Sequence, residues 1–267
     1  MKQKNRNTKN IIILIVILIA IIAVITGVVI FINNQRYEYE LSQISNDQIK
    51  YYKLEQDGRY GVIDREGNVV IEPNYAELDI PNPTMPVFIK SEDGQNFSAI
   101  DNNGNDILTQ YEDVEAISIN NISSNIPYEK TVLKYKQNGL YGIMDFEGNK
   151  ITENIYNSIT NIDYKEGNLK VEQNGQYGVI NIKGTTILEP EYESIISDGY
   201  YDEETKYEQA GFVLRIKTDD GYKFGYADER GKIILEPLYN EINRITEITG
   251  EDVYLITANN GRYGVVK

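Results

Sequence analysis

The stretch Leu169–Ile196 reads LKVEQNGQYGVINIKGTTILEPEYESII and decides the fold that the sequence predicts. Apolar and polar residues alternate on both sides of Asn174-Gly175, which is typical of half-buried strands. The Asn-Gly pair supplies the positive φ angles of a tight type I′ hairpin turn. A third strand follows and closes at Glu189-Pro190, where proline suits an edge or a strand end. The stretch therefore predicts an antiparallel meander of three or four short strands.

The same pattern recurs along most of the chain. Copies lie at residues 53–79, 88–114, 133–160, 169–196 and 214–242, and half a copy begins at residue 253. The mark common to them is an aromatic residue followed by glycine, or by serine in the second copy: Tyr60-Gly61, Phe97-Ser98, Tyr141-Gly142, Tyr177-Gly178, Phe224-Gly225 and Tyr263-Gly264. Similarity repeated at a spacing of about 20–50 residues indicates a repeat array.

The predicted fold class is all-β, with tandem antiparallel β-meander repeats, five full and one partial, over residues 49–267. The half copy at the C-terminus lacks its last strand, and residues 37–44 are a candidate to supply it. Strand sharing of that kind would close a propeller-like ring of six units and remove exposed sheet edges. A curved open solenoid stacks the same repeats on one core and remains the alternative.

With these features, the body resembles the bacterial WG repeat family, whose units carry a Trp-Gly pair, a turn ending in glycine and a Pro-x-Tyr close. The resemblance covers roughly residues 49–267, and it departs from the family pattern in two ways. The chain has no tryptophan, so Tyr or Phe takes each Trp position, and Ser98 replaces one glycine. The resemblance implies a repeat architecture with a binding or scaffolding role, and it implies no reaction.

The stretch Ile11–Ile32 contains 22 residues without a charge, and Thr26 is its only polar side chain. A helix of that length reaches about 33 Å, enough for a hydrocarbon core of about 30 Å. We therefore expect a transmembrane helix at 11–32; a cleaved signal peptide is the alternative, but its apolar region is usually shorter. Four basic residues precede the helix, which predicts a cytoplasmic tail at 1–10 and an extracytoplasmic body. Residues 33–48 form a linker or the closing strand.

The charge and composition of the chain exclude several classes of function. The net charge is −15, and beyond residue 32 there are 22 basic against 41 acidic residues, which argues against nucleic acid as a partner. Cysteine and histidine are absent, so disulfides, thiol nucleophiles, Ser-His catalysis and the usual zinc sites are excluded. The turn at residues 101–106 is rich in Asp and Asn but lacks the length and distal Glu of a calcium loop. We predict no catalytic residue, cofactor or metal.

Two insertions between copies, at residues 120–130 and 199–211, are candidate recognition elements. The second is interpreted as a partner-binding loop, because tyrosine gives contact area at low entropic cost; its residues are Tyr200, Tyr201, Asp202, Glu203, Glu204 and Tyr207. A solvated loop with locally packed tyrosines is the alternative. The aromatic-Gly pairs are interpreted as structural, each ring being the main core residue of its repeat. The competing interpretation is a ladder of rings that stacks on sugars.

The sequence therefore favours a single-pass protein of the cell membrane whose extracytoplasmic β-repeat domain binds protein partners. A binder of cell-envelope glycans or polymers is the first alternative, because tyrosine faces stack on sugars and cations. A passive structural spacer is the second. An enzyme is not predicted, because no acidic residue stands apart from the repeat pattern.

Overall fold

The computed structural model describes residues 48–119, 126–162, 167–202, 206–244, 254–258 and 261–266. The expected tail at 1–10, membrane helix at 11–32 and closing strand at 37–44 lie outside these residues. In the part that is described, no helix is long and apolar enough to cross a membrane.

Six antiparallel sheets, numbered here in chain order, contain every strand of the described residues. Sheet 1 consists of β1 (Tyr51–Gln56), β2 (Arg59–Asp64) and β3 (Val69–Tyr75). Sheet 2 consists of β4 (Glu77–Asp79), β5 (Val87–Ser91), β6 (Phe97–Asp101) and β7 (Asp106–Ile107). Sheet 3 consists of β8 (Asp113–Glu115), β9 (Leu133–Gln137) and β10 (Leu140–Met144).

The remaining sheets follow the same plan. Sheet 4 consists of β11 (Ser158–Asn161), β12 (Asn168–Gln173), β13 (Gln176–Asn181) and β14 (Thr186–Tyr192). Sheet 5 consists of β15 (Ser194–Asp202), β16 (Lys206–Thr218), β17 (Gly221–Asp228) and β18 (Ile233–Tyr239). Sheet 6 consists of β19 (Glu241–Arg244), β20 (Tyr254–Thr257) and β21 (Tyr263–Val266). Strands that are neighbours in sequence pair within each sheet, so the predicted all-β meander architecture is confirmed.

The sheets do not coincide with the sequence copies, because the last strand of each full copy is the first strand of the next sheet. Only Glu193 separates β14 of sheet 4 from β15 of sheet 5, and its backbone N–H donates to the carbonyl of Arg215 at 2.9 Å. The same corner bond recurs at the other junctions, from Ala76 to Ser91, Glu112 to Lys136, Asn157 to Glu172 and Asn240 to Thr257. Between sheets 1 and 2, 4 and 5, and 5 and 6, a single residue separates the two strands, so one chain segment is an edge strand of both sheets.

The proline of each Glu-Pro pair lies in one of these edge strands. Pro73 is in β3, Pro190 in β14 and Pro237 in β18, and each of these strands is the outermost of its sheet. Proline cannot donate a ladder hydrogen bond, and an edge position does not require one from it. The sequence-based placement of these prolines at an edge is confirmed.

The apolar core is distributed between consecutive sheets. Leu78, three residues after Tyr75, is buried against Phe88 and Val62 between sheets 1 and 2. Ile195 occupies the same place between sheets 4 and 5, beside Phe212. Burial of such side chains contributes roughly 1.5–3 kcal/mol each. The repeat therefore supplies one buried anchor to every junction between sheets.

The tight hairpin turns follow the sequence prediction in three copies. Positive φ angles occur at both residues of Asp57-Gly58, Asn138-Gly139 and Asn174-Gly175, as a type I′ turn requires. In the fifth copy Gly221 already pairs with Thr218, so the turn residues are Asp219 and Asp220 instead. The predicted turn at Asp220-Gly221 was wrong, because the pairing of β16 with β17 continues to Thr218 and Gly221 and leaves only two residues between the strands.

Sheets 1 and 6 each contain three strands within the described residues. No strand of sheet 1 pairs with a strand of sheet 6 in this part of the chain. The choice between a ring and a solenoid therefore stays a prediction, and residues 37–44 stay the candidate closing strand.

Candidate functional site

The second insertion forms a two-stranded ribbon, defined here as residues 199–209, where a loop was expected. Gly199 pairs with Gln209, Tyr201 with Tyr207 and Asp202 with Lys206, in continuation of β15 and β16. The predicted loop residues Tyr200, Tyr201, Asp202 and Tyr207 therefore lie on paired strands. Glu203 and Glu204 lie outside the described residues.

The ribbon leaves its parent sheet where β17 ends. Asp228, the last residue of β17, pairs with Gly211, so residues 206–210 of β16 pair only with β15 within the described chain. A bulge between Asp198 and Gly199 breaks the register at the same point, which increases local twist. Both outer edges of the ribbon consequently carry backbone groups that no described strand pairs, and such edges are templates for another strand.

The base of the ribbon is anchored to the core of sheet 5. The hydroxyl of Tyr226, a residue that is 1% exposed, donates to Asp198 Oδ2 at 2.8 Å. A Cβ at Gly211 would collide with the carbonyl oxygen of Ala227 and lie 2.8 Å from the Tyr226 hydroxyl. Only glycine fits this close approach of strands, so the ribbon begins from a rigid point.

The first insertion is packed into the fold. Ile117 and Ile119, just before it, are buried, and so are Ile126 and Glu129 within it. Glu129 Oε1 accepts from the backbone N–H of Gly167 at 2.9 Å, which links the insertion to sheet 4. Towards sheet 2, Asn82 Nδ2 donates to the carbonyl of Lys130 at 2.8 Å. This segment therefore joins three sheets and has a structural role.

The contact of the first insertion with sheet 2 includes a tyrosine–carboxylate pair. The Tyr128 hydroxyl donates to Asp79 Oδ1. Burial raises the pKa of Asp79, and the bond from Tyr128 opposes that shift. Burial and the neighbouring carboxylate together raise the pKa of Tyr128. The pair belongs to the packing of the insertion against sheet 2.

The rings of the aromatic-Gly pairs lie at the margin of the core, so the expectation that each is the main core residue needs correction. Tyr60, Tyr177 and Phe224 are half-buried and pack against the edges of the clusters. Tyr263 is 74% exposed. The fully buried position is two residues later in the five full copies: Val62, Ala99, Ile143, Val179 and Tyr226.

The glycine of the pair is required by the bulged edge strand that crosses it. A Cβ on Gly178 would lie 2.6 Å from the carbonyl oxygen of Leu188 and 2.8 Å from the nitrogen of Pro190. Gly225 meets Leu235 and Pro237 in the same way, and Gly61 meets the strand around Pro73. The second copy has no Glu-Pro pair, which explains why Ser98 is tolerated there. The requirement for glycine could be read from the sequence, because the copies with a Glu-Pro pair all have glycine after the aromatic residue.

Lysines cover the tyrosines of three copies, and sequence reasoning missed them. The Nζ atoms of Lys53, Lys134 and Lys170 lie 4.1, 5.2 and 5.8 Å from the ring centres of Tyr60, Tyr141 and Tyr177. Where the ring is phenylalanine, the strand position of the lysine is held by Ile89 or Val213. A lysine also lies seven residues before Phe97 and Phe224, so the spacing in the sequence could not have found the pattern without the strand register.

The aspartates of the second turn serve as acceptors for backbone amides. Asp101 Oδ1 accepts from the N–H groups of Asn103 and Asn105 at 2.8 and 2.9 Å, and Asp64 accepts from Asn68 at 2.8 Å. The bonds from Asn105 and from Asn68 lower the pKa of Asp101 and Asp64. In the described chain no group of three or more acidic residues is placed to hold a metal ion.

The comparisons with known proteins follow the repeat pattern. The sequence model described as WG containing repeat matches residues 60–79, 177–202 and 224–247. These are three copies, those that carry both glycine and Glu-Pro. These three segments match the WG containing repeat, and the resemblance inferred from the motifs is confirmed. No curated protein matches the chain.

Solved structures resemble the chain weakly. Hsv2 of Kluyveromyces lactis has 10% identity and a TM-score of 0.33, with coverage of 82% of this chain and 71% of that chain. BamB from Moraxella catarrhalis has 12% identity and a TM-score of 0.30, with coverage of 82% of each chain. The WD40 β-propeller domain of Doa1 has 9% identity and a TM-score of 0.25, with coverage of 83% and 76%. Similarities of this size assign neither a closed ring nor a function.

Proposed function

We propose that the chain is a membrane-anchored scaffold whose extracytoplasmic β-repeat domain binds protein partners through the ribbon. The observation that carries this proposal is the pairing of residues 199–209 beyond the end of β17. The ribbon has two outer edges without a described strand partner, which are suited to addition of a strand from another chain. Main-chain hydrogen bonds would supply affinity, and alternate side chains would supply specificity.

The rest of the repeat domain supports the ribbon as a rigid platform. The close approach at Gly211 and the bond from Tyr226 to Asp198 fix the point where the ribbon starts. A preorganised element loses less conformational entropy on binding than a mobile loop does. A role in binding therefore needs no catalytic group, and we propose none.

The membrane anchor is part of the proposal and rests on the sequence. The apolar stretch Ile11–Ile32 and the four basic residues before it support a single-pass helix with the repeat domain outside. Alkaline extraction of membranes tests the anchor. If the helix spans the membrane, the intact chain stays in the membrane pellet. Protease added to intact cells should digest the repeat domain, and its protection there would reverse the orientation.

The binding role is tested by replacing residues 200–208 with Asn-Gly, so that Gly199 and Gln209 are joined by a tight turn. In intact cells, chemical crosslinking of the unaltered chain should give a discrete adduct that the shortened chain does not give. Asp57→Asn, a change in the ordinary turn of sheet 1, is the matched control and should retain the adduct. An adduct that survives the loss of the ribbon, in a chain that unfolds at the unaltered temperature, would contradict the proposal.

Binding of a cell-envelope glycan is the second candidate, and the exposed tyrosine rings favour it. Tyr52 and Tyr263 are 40% and 74% exposed, which leaves their rings accessible for stacking on sugars. Cosedimentation with purified cell-wall sacculi, with and without calcium, measures this directly. Saturable binding that Tyr263→Ala weakens would place the glycan role ahead of the protein role.

A further inference from the structure

A pocket of about 430 Å³ lies between sheets 4 and 5. Its polar wall is formed by Ser158, Thr160, Lys170, Tyr177, Ser194 and Arg215. Two cations thus face one cavity in a body with a strong negative charge. The volume falls in the lower part of the range of about 300–1,000 Å³ that is usual for small-molecule sites.

Lys170 lacks the acidic partner that its counterparts have. In the first copy Lys53 is 4.0 Å from Glu77, two residues after the copy's closing tyrosine, and Ser194 holds that position after Tyr192. In sheet 3, Lys134 is 2.7 Å from Glu115 on the facing strand.

Thr160 occupies that facing position beside Lys170 in sheet 4. Hydroxyls have therefore replaced both carboxylates around Lys170. Within the described part of the chain its ammonium contacts the ring of Tyr177 and forms no ion pair.

Arg215 supplies the second cation. Its guanidinium lies 4.6 Å from the centre of the Tyr222 ring, which holds the planar group in place. Its Nε atom is buried and has no hydrogen-bond partner among the described residues. A buried donor without an acceptor is costly, typically by about 1–3 kcal/mol. An incoming anion would supply the missing acceptor.

Glu193 lines the same pocket and forms no ion pair there with Lys170 or Arg215 within the described chain. Its backbone N–H holds the corner between sheets 4 and 5 by its bond to Arg215. The pocket thus combines two cations and one carboxylate with three aliphatic hydroxyls. This set complements a compound with two carboxylates and one ammonium group.

We propose that this pocket binds a small carboxylate of amino-acid size, held through Lys170 and Arg215. Charged hydrogen bonds from guanidinium and ammonium to carboxylate are among the stronger polar contacts in proteins. An amino dicarboxylate matches all three charges, since Glu193 accepts its ammonium group. Along β15 the pocket extends to Ile195, four residues before the ribbon begins at Gly199, or about 13 Å along an extended strand. The two binding elements are therefore independent, and either proposal stands if the other fails.

Isothermal titration of the purified full chain in non-ionic detergent tests the site, with L-glutamate, glutarate and inorganic phosphate at fixed ionic strength. We expect saturable binding of glutamate and glutarate at concentrations up to about 1 mM. Lys170→Met should weaken both at least about tenfold, since a charged hydrogen bond is lost. Lys53→Met removes the equivalent lysine from the first copy and should leave both affinities unchanged. Glu193→Gln should weaken glutamate and spare glutarate.

Absence of saturable binding by the unaltered chain, tighter binding of phosphate than of either carboxylate, or equal losses in Lys170→Met and Lys53→Met would each overturn the proposal. Lys170→Arg keeps the charge and should retain binding within a few-fold, which distinguishes a lost ligand contact from a lost fold. The thermal unfolding midpoint of each variant, measured without ligand, excludes unfolding as the cause.

Discussion

At the scale of single residues, the glycines of the aromatic-Gly pairs have different structural roles in different copies. In the fourth copy the bulged strand around Pro190 crosses directly over Gly178. In the last copy no described strand crosses Gly264, and a Cβ there would lie 3.5 Å from the side chain of Ile256, an ordinary contact. Identical motifs in one sequence therefore tolerate substitution unequally.

Gly178→Ala is expected to lower the free energy of unfolding by about 1–3 kcal/mol, because the added Cβ overlaps Leu188 and Pro190. Gly264→Ala is the matched control and should change it by no more than about 0.5 kcal/mol. Urea denaturation followed by circular dichroism measures both. Equal effects at the two glycines would show that the crossing strand does not set the requirement.

The carboxylate of Asp93 predicts a pH effect on stability. Backbone N–H groups of Asn96 and Gln95 donate to it at 2.9 and 2.8 Å and lower its pKa below the ordinary value. A folded-state pKa below the unfolded one gives stability that is present above the unfolded pKa, near 4, and is lost as the pH falls further. Asp93→Asn should therefore be less stable than the unaltered chain at pH 6, with a difference that narrows below pH 4.

Thermal unfolding midpoints measured between pH 2 and pH 7 test this dependence. Asp57→Asn is the control, because the Asp57 side chain accepts no hydrogen bond within the described residues. A constant difference between Asp93→Asn and the unaltered chain at every pH would assign the effect to geometry and exclude charge.

What sequence reasoning could find at this scale depended on whether a residue acts locally. The turn at Asn174-Gly175 was predicted because positive φ is a property of the dipeptide itself. The half-buried place of Tyr177 was missed, because burial depends on how the neighbouring sheet packs. The role of Arg215 was missed for the same reason, since sheet 4 supplies the opposite wall of its pocket.

At the scale of elements, the bent edge strand is what distinguishes this fold from a row of separate hairpins. Its corner residue is bonded to the next sheet at every junction, and at Glu193 the acceptor is the carbonyl of Arg215. A strand that belongs to two sheets transmits constraint between them without any helix or long connection. The repeat pattern in the sequence does not show this sharing, because it suggests that all strands of one copy pair within one sheet.

Glu193→Pro removes the corner N–H while leaving β14 and β15 in place on either side. We expect a loss of about 1–3 kcal/mol in the free energy of unfolding, since the carbonyl of Arg215 loses its donor. Glu193→Ala keeps the N–H and should stay within about 0.5 kcal/mol of the unaltered chain. Comparable losses in both variants would assign the effect to the carboxylate and contradict the role of the corner bond.

The elements that sequence reasoning misjudged lie where the repeat is interrupted. The third copy has Glu153-Asn154 in place of Glu-Pro, and isolated bridges at Tyr156 and Lys150 replace its third strand. Between the fourth and fifth copies, a loop was predicted for the insertion because its charged residues obscure the alternation of apolar and polar positions. The pairing of residues 199–209 continues the hairpin of β15 and β16. A pattern within the insertion itself does not show that the hairpin continues through it.

At the scale of the whole molecule, the six sheets form an array in which each core cluster is shared by two neighbours. The cluster around Tyr135 joins sheets 2 and 3, and that around Phe212 joins sheets 4 and 5. The number of sheets was predictable from the six aromatic-Gly marks. The links made by the first insertion were not predictable, because buried Glu129 contacts Gly167 at a sequence separation of 38 residues.

The two insertions should therefore respond in opposite ways to shortening. Replacing residues 118–130 by a short Gly-Ser linker removes Ile119, Ile126 and the Tyr128 contact with Asp79. It also removes Glu129 and Lys130, which link the insertion to sheets 4 and 2. The expected loss is at least about 3 kcal/mol in the free energy of unfolding, since several buried side chains are deleted together. Shortening the ribbon at 200–208 removes no described core residue and should cost less than about 1 kcal/mol.

Urea denaturation of both shortened chains, with intrinsic tyrosine fluorescence as the signal, separates these expectations. In a repeat array, the loss of an interface weakens coupling between neighbours, so the first variant should also unfold over a broader range of urea. A sharp transition at an unaltered midpoint would mean that the first insertion only covers the sheets. The bent edge strands would then account for the coupling between sheets. The two insertions would not differ in their effect on stability, so stability would no longer single out the ribbon as the insertion used for binding.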